Sequence, residues 1–315
     1  LTRYGDHVEA SNSELQSYQD CLRRWWLSYF RRLKPKTTLP TGPLSIGGRV
    51  HRVLEEGYST PGRGEAAMAL LAQLIEEDLP KARALGVEKE FLSEAELCLI
   101  MVEGFIDWAA EEGLDAGWEI VSTERIVKAP PIDVSGTPVV LKGKLDQMIR
   151  REMDGALMMR DWKTTQTMTP VWLAFRPQLK MYLLLLALTE PDAQVGGGQF
   201  VLLKKVKRTA RANPPFYLME PLYVGPREME SFYISTLGTV KEMIRTVERL
   251  EAGEDHRAVV PARPTRDCSW RCPFFKCCDM FDDGSDVEGY LAANYEAGDP
   301  YEYYGDLGNK GDDIE

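Results

Sequence analysis

Residues 141–166 read LKGKLDQMIRREMDGALMMRDWKTTQ, and the fold turns on this stretch. Residues 138–150 roughly alternate apolar and polar side chains, as a half-buried strand does. Met153, Asp154 and Gly155 signal a turn, and 156–162 (ALMMRDW) read as a second strand. Neighbouring strands lie about 5 Å apart, so this hairpin would bring Asp146 and Asp161 to one ion. Asp161 and Lys163, two residues apart, leave the same strand face. Two carboxylates suit a hard divalent cation. Such a cation acidifies water and neutralises charge developing on a phosphate, and a lysine can orient the water or stabilise the transition state. Alone, a D-x-K pattern is more often an ordinary charged hairpin, so the rest of the chain has to decide.

Upstream, SNSELQSYQDCLRRWWLSYF (11–30) starts with cap residues and keeps helical spacing through Leu15, Tyr18, Leu22, Trp25, Trp26 and Tyr29. Beyond Pro35, Pro40 and Pro43, three helices are predicted at 46–58, 64–85 and 89–112. From Gly117 the pattern turns to strands, at 118–127, 138–150 and 156–162. A helix is expected over 170–188 with Pro170 in its first turn. Strands at 198–205 and 216–223 and a helix from Pro226 to about Leu250 complete the body. This order predicts an α/β (α+β) chain: one mixed central sheet flanked by helices, with a helical insertion near the front. The expected organisation is a single domain over 1–280, with a helical region at 46–112 and a sheet core at 117–223, then an acidic, tyrosine-rich tail at 281–315. The longest apolar run, Met181 to Leu188, is too short to cross a bilayer, so no membrane partner is expected.

The formal charge of −11 at first argues against a polyanionic partner. Yet residues 279–315 hold twelve acidic groups and one lysine, which leaves 1–278 neutral with 37 basic and 37 acidic groups. Within that body, Arg23, Arg24, Arg31, Arg32, Lys34 and Lys36 form one acid-free basic run, and Lys204, Lys205, Lys207, Arg208 and Arg211 form another. Each run reads equally as a phosphate-binding patch or as solvated surface. Tyr290, Tyr295, Tyr301, Tyr303 and Tyr304 suit the tail to packing against the body or a partner.

Six cysteines fall at 21, 98, 268, 272, 277 and 278. A tight group of them in a chain without a secretory leader pattern argues for metal or redox chemistry over disulfides. Four thiolates can hold an iron–sulfur cluster or a structural zinc. The candidates are Cys21, Cys268, Cys272 and Cys278, with Cys277 the rival for the last place. Cys98, beside Leu97 and Met101, reads as core.

With these features in order, the chain resembles the RecB-type branch of the PD-(D/E)XK nucleases, and most nearly its iron–sulfur members: CRISPR-associated adaptation nucleases, the AddB nuclease domain and phage exonucleases. The resemblance covers nearly all of 11–280. It rests on Cys21 after a Ser-rich helix start, G-x-x-x-H at Gly47 to His51, G-x-x-D at Gly143 to Asp146, D/E-x-K at Asp161 to Lys163, Q-x-x-x-Y at Gln178 to Tyr182, and the terminal cysteines. The C-x3-C gap between Cys268 and Cys272 departs from the C-x2-C of many iron–sulfur members.

On its own residues, His51 among Val50, Val53 and Leu54 reads as a core histidine; the resemblance implies a metal ligand instead. It implies Mg²⁺ or Mn²⁺ on His51, Asp146, Asp161 and the carbonyl of Trp162, with Lys163 helping to activate water. Gln178 and Tyr182 share a helix face, which the resemblance places at the site and the DNA. It also implies an iron–sulfur cluster, 4Fe–4S, on Cys21, Cys268, Cys272 and Cys278, clasping the ends of the nuclease fold. Glu124 is a candidate outer carboxylate. Trp25 and Trp26 fit either base stacking or core packing. The implied activity is metal-dependent exonucleolysis of single-stranded DNA ends, 5′→3′, in phage or bacterial recombination, repair or replication. The expected location is the cytoplasm, that of the bacterial host if the chain is phage-encoded. No G-x-x-x-x-G-K-[ST] motif occurs, so unwinding would fall to a helicase or recombination partner. The alternatives are a flap endonuclease on the same fold and a non-catalytic DNA-binding subunit.

Overall fold

A computed structural model of the chain describes residues 2–4, 7–59, 63–169, 173 and 176–302. Strands β1 (Thr2–Tyr4) and β2 (His7–Ser11) precede helices α1 (Asn12–Asp20) and α2 (Leu22–Trp25), a π-helical turn over Trp26–Phe30 and β3 (Leu33–Pro35). Helices α3 (Pro43–Ser59), α4 (Arg63–Ala84) and α5 (Glu88–Glu111) follow, then β4 (Trp118–Lys128), β5 (Ile132–Val134), β6 (Thr137–Arg151) and β7 (Leu157–Thr165). Next come α6 (Pro177–Thr189), β8 (Val195–Lys204), β9 (Tyr217–Leu222) and α7 (Pro226–Glu251). Short helices α8 (His256–Val259), α9 (Cys268–Arg271) and α10 (Val287–Asn294) lead to β10 (Tyr295–Ala297). The chain is mixed α/β, as expected, with strand order β1-β2-β6-β7-β8-β9 and with β4 and β5 also pairing to β6. The sheet is mixed: β2/β6 and β7/β8 run parallel, while β6/β7 and β8/β9 run antiparallel. No helix among the described residues is long and apolar enough to cross a membrane.

Two compact units divide the chain. One comprises Leu39–Arg125 and Lys144–Val224; the other comprises Leu1–Thr38, Ile126–Gly143 and Gly225–Glu315. In the first of these, α3, α4 and α5 bury an apolar core that takes in Trp162, Val201, Leu203 and Tyr217 from the strands. Cys98 sits inside it, and burial pushes its thiol up to about 11. Helix α6 lies close over β8 because Gly198 has no side chain: a Cβ there would come within 2.6 Å of Leu179 Cδ2. Gly198→Leu is therefore expected to destabilise the protein by about 1–3 kcal/mol through overpacking, measurable by urea unfolding. An unchanged midpoint would show that α6 can move freely.

Three expectations need correction. Strand β6 is not half-buried. Val139 to Gly143 and Leu145 to Ile149 are all buried, polar Lys142, Asp146 and Gln147 included, so its charged groups must find partners inside the fold. Helix α6 begins at Pro177, not Pro170, because the residue before a proline is driven to extended backbone and Arg176 adopts it; Pro170 lies outside the described residues. The helix predicted over 11–30 breaks at Cys21, whose backbone is extended at φ −159°, ψ 113°.

In the other unit, β2 runs parallel to β6 from Val8↔Val139 to Ser11↔Lys142. The five residues HVEAS carry too little pattern to announce this strand. The described part of the acidic tail packs on the first basic run. β10 pairs with β3, Arg23 meets Asp282 at 2.6 Å and Arg31 meets Glu288 at 2.7 Å. Lys34 lies 3.5 Å from Glu302, and Lys36 donates to the Ala292 carbonyl at 2.7 Å. Tyr301 is buried, its hydroxyl donating to the Glu14 carboxylate and its ring 3.6 Å from Lys142 Nζ. Tyr303 and Tyr304 lie outside the described residues.

Candidate metal centre

The β6/β7 ladder runs in register from Arg150↔Leu157 to Gln147↔Arg160. One step further, where that ladder ends, stand Asp146 and Asp161. The Trp162 N–H donates to Asp146 Oδ2 at 3.3 Å. Period-two geometry puts Lys163 on the face of Asp161, and Lys163 Nζ lies 2.9 Å from Asp161 Oδ1 and 2.8 Å from Oδ2. Lys163 also donates to Gln178 Oε1 at 2.8 Å, and Gln178 Nε2 donates to the Tyr182 hydroxyl at 2.8 Å. Asp161, Lys163, Gln178 and Tyr182 thus form one hydrogen-bonded line from β7 to α6.

On α3, Gly47, His51 and Glu55 recur every four residues and so share a face. A Cβ at Gly47 would sit 3.3 Å from Thr164 Oγ1, so glycine lets this face approach β7 closely. One turn on, His51 Nδ1 lies 3.4 Å from Asp146 Oδ2 and 3.8 Å from Glu55 Oε1. Ligand atoms of His51, Glu55 and Asp146 all fall within 4.8 Å of one another, the one such group of three or more His, Cys, Asp or Glu among the described residues. Cis ligands on an ion bound at about 2.1 Å stand about 3 Å apart, so little adjustment is needed. Asp161 is outside this group, its carboxylate occupied by Lys163.

Three carboxylates are buried here, Glu55 at 7%, Asp146 at 6% and Asp161 at 0% exposure. Burial first, and the neighbouring Asp161 second, push the Asp146 carboxyl up to about 7, with His51 opposing. Burial works against a charged His51, but its hydrogen bond to Glu55 and the Asp146 charge prevail and raise its pKa. Asp161 Oδ2 is buried without a well-formed hydrogen bond. The N/O donor set of His51, Glu55 and Asp146 beside the buried Asp161 fits a hard divalent cation, the imidazole favouring Mn²⁺. Glu55 was missed in the sequence. Its signal was the i, i+4 spacing from His51 in HRVLE, which by itself marks only a helix face.

Other candidates lie elsewhere. Glu124 is paired with Lys144 and stands outside the donor group. Trp25 is fully buried and donates to Glu14 Oε1 at 3.0 Å, and Trp26 stacks on His256 at 4.9 Å between centroids. Both pack against neighbours of their own unit here.

Cys21, Cys268, Cys272 and Cys278 line one cavity of about 280 Å³, together with Arg23, Arg24, Arg263 and Arg271. The Arg263 N–H points to Cys21 Sγ at 3.5 Å and the Thr265 N–H to Cys268 Sγ at 3.3 Å. Cys277 is turned away and buried, its thiol donating to the Phe274 carbonyl at 3.4 Å. No three of these sulfurs gather within 4.8 Å, whereas thiolates on one tetrahedral zinc would stand about 3.8 Å apart. Burial pushes the thiols of Cys272 and Cys278 up.

The sequence profile of the PD-(D/E)XK nuclease superfamily matches residues 9–279. A solved structure named "Crystal structure of SSO0001" is similar at 16% identity and a TM-score of 0.34, over 74% of this chain and 95% of that one. No curated protein matches.

Proposed function

We propose that this chain, which belongs to the PD-(D/E)XK nuclease superfamily, is a metal-dependent deoxyribonuclease that degrades single-stranded DNA from its ends. The observation that carries this reading is the convergence of three buried carboxylates and His51 beside Lys163. His51, Glu55 and Asp146 would hold a divalent cation, with Asp161 and the Trp162 carbonyl completing its ligands. When bound, the cation supplies Lewis-acid polarisation of the phosphate and acidification of water. The chain's own groups do the rest. Lys163 carries the positive charge that stabilises the developing phosphorane, and Asp161 and Gln178 hold its ammonium in place. Tyr182 fixes Gln178. Asp146 must be ionised to serve as a ligand, so metal affinity should climb as pH rises through about 7.

The assignment of a 4Fe–4S cluster to Cys21, Cys268, Cys272 and Cys278 rests on the sequence resemblance, and their lining of one cavity supports it. Backbone N–H groups reach two of the sulfurs, and Arg23, Arg24, Arg263 and Arg271 line the cavity beside Asp20, Asp267 and Asp279. Such a cluster would tie residue 21 to 268–278 and hold that unit together. The 5′→3′ polarity, the setting in phage or bacterial recombination and repair, and a helicase partner rest on the sequence resemblance.

The test is cleavage of end-labelled linear and of circular single strands with Mn²⁺. Loss of linear strands alone, abolished in Asp161→Ala, is the expected result. Cutting of circles would replace the exonuclease by an endonuclease, and full activity of Asp161→Ala would overturn the site.

A further inference from the structure

The sequence has two basic runs, and the structure treats them differently. The run at 23–36 is engaged by the acidic tail, through Asp282, Glu288 and Glu302 and the Ala292 carbonyl. The run at 204–211 has few carboxylate partners among the described residues of its own unit. Of its five cations, Lys207 alone meets a carboxylate among the described residues, Glu96 at 2.5 Å. No acidic residue occurs from 204 to 219.

This run begins at the metal centre's own sheet. In the parallel β7/β8 pairing, Lys163 stands opposite Leu202 and Thr165 opposite Lys204. Paired residues share a face, so Lys204 lies one strand over and two residues on from Lys163, roughly 8 Å away by strand geometry. The backbone N–H of Lys205 then donates to the Thr165 carbonyl at 2.7 Å, which pins the start of the β8–β9 connection to the end of the catalytic strand. Further along, Arg208 stacks on Phe216 at 3.8 Å and donates to the Tyr217 hydroxyl at 2.7 Å. Tyr217 in turn donates to the Met101 carbonyl at 3.0 Å. The connection is therefore anchored at both ends, and its cations are held in place.

The side chains of Lys205 and Arg211 make no hydrogen bond or ion pair among the described residues. Lys205 is also half-buried, and burial alone holds its ammonium below the usual lysine range. A partly desolvated cation without a counter-charge, next to a phosphodiester site, wants a phosphate.

Building on the nuclease reading above, we infer that the β8–β9 connection is the track that carries the sugar–phosphate backbone of a single DNA strand to the catalytic face. Lys204, Lys205, Arg208 and Arg211 are its phosphate contacts. These are point and fork contacts to phosphates with no base readout, so the track is sequence-independent.

The test compares the full-length chain with Lys205→Gln/Arg211→Gln in two assays. The first is binding of a fluorescent single-stranded 20-mer in an Asp161→Asn background without metal, across a salt series. The double variant should bind about tenfold more weakly near 0.1 M salt, and its log–log salt slope should shrink by about 1.4, or 0.7 per lost phosphate contact. Arg211→Lys should keep the affinity. The second assay is Mn²⁺-dependent hydrolysis of bis(p-nitrophenyl) phosphate with Asp161 intact, which needs no track and should be unchanged. Wild-type affinity and slope in the double variant would overturn the track. So would a loss of affinity accompanied by a lowered melting temperature or lost aryl-ester hydrolysis. If the unmodified chain hydrolyses neither DNA nor the aryl ester, the nuclease reading fails, while the binding arm still judges the track.

Discussion

Asp146→Asn is expected to abolish DNA cleavage and, in the same protein, to raise the stability of the metal-free fold above neutral pH. The loss of cleavage should reach at least about 10²–10³-fold, the range for removing one group that stabilises transition-state charge. The gain in stability follows from burial. Asp146 is 6% exposed, and its carboxyl is pushed up to about 7 from 3.8. A folded pKa above the unfolded one favours the fold while the group is protonated. That contribution is complete below about pH 4 and is lost as pH rises through about 7. His51, whose pKa is also raised, adds in the same direction. At pH 8 the ionised Asp146 costs on the order of 4 kcal/mol, at about 1.4 kcal/mol per unit. Asparagine never ionises but weakens the contacts to His51 and the Trp162 N–H, so a net gain of roughly 1–3 kcal/mol remains. Thermal melts in chelator at pH 5 and pH 8 check this: the native chain should lose more stability between them than the variant. Parallel losses would mean that Asp146 is not the buried acid described. Added Mn²⁺ should reverse the order at pH 8, because only the native chain regains a ligand set.

The second large effect concerns the cysteine cavity. Anaerobically purified protein is expected to absorb near ~400 nm, where thiolate-bound iron absorbs and zinc does not. Cys21→Ser and Cys278→Ser should each remove that band and lower the melting temperature by roughly 5–8 °C, equivalent to about 3–5 kcal/mol. Cys277→Ala should keep the band, since Cys277 faces Phe274 and Tyr295 rather than the cavity. The contrast between adjacent residues makes the test specific, because a general folding defect would not distinguish 277 from 278. Colourless protein containing zinc would end the iron–sulfur assignment. Variants at 268 and 272 that stay folded and fully active would remove the cluster's structural role.

Much of the centre was legible because its rules are local. The β6/β7 hairpin, the shared face of Asp161 and Lys163, and the one-turn spacing of Gln178 and Tyr182 follow from strand and helix periods that act over a few residues. Gly47 and His51 were legible as a motif, but their reason was not. Only packing shows that Gly47 lets α3 approach Thr164 and so delivers His51 to Asp146. Glu55 stayed hidden because a glutamate four residues after a histidine is ordinary on any helix. The half-buried reading of β6 failed because alternation in sequence reports side-chain chemistry, while coverage of the second face depends on elements far along the chain.

By itself, then, the sequence determined the element types, the mixed sheet, the hairpin carboxylates with their lysine, and the six cysteines as a resource. Tertiary structure decided which of these meet. It put Glu55 with His51 and Asp146, and left Asp161 to Lys163. It turned Cys278 toward the cavity and Cys277 away. It set the described part of the acidic tail on one basic run, and it tied the start of the other to the end of β7 through Lys205 and Thr165. Periodicity fixes a side chain's direction relative to its own element, whereas partners far apart in sequence are chosen by packing and by the cost of leaving a buried charge alone.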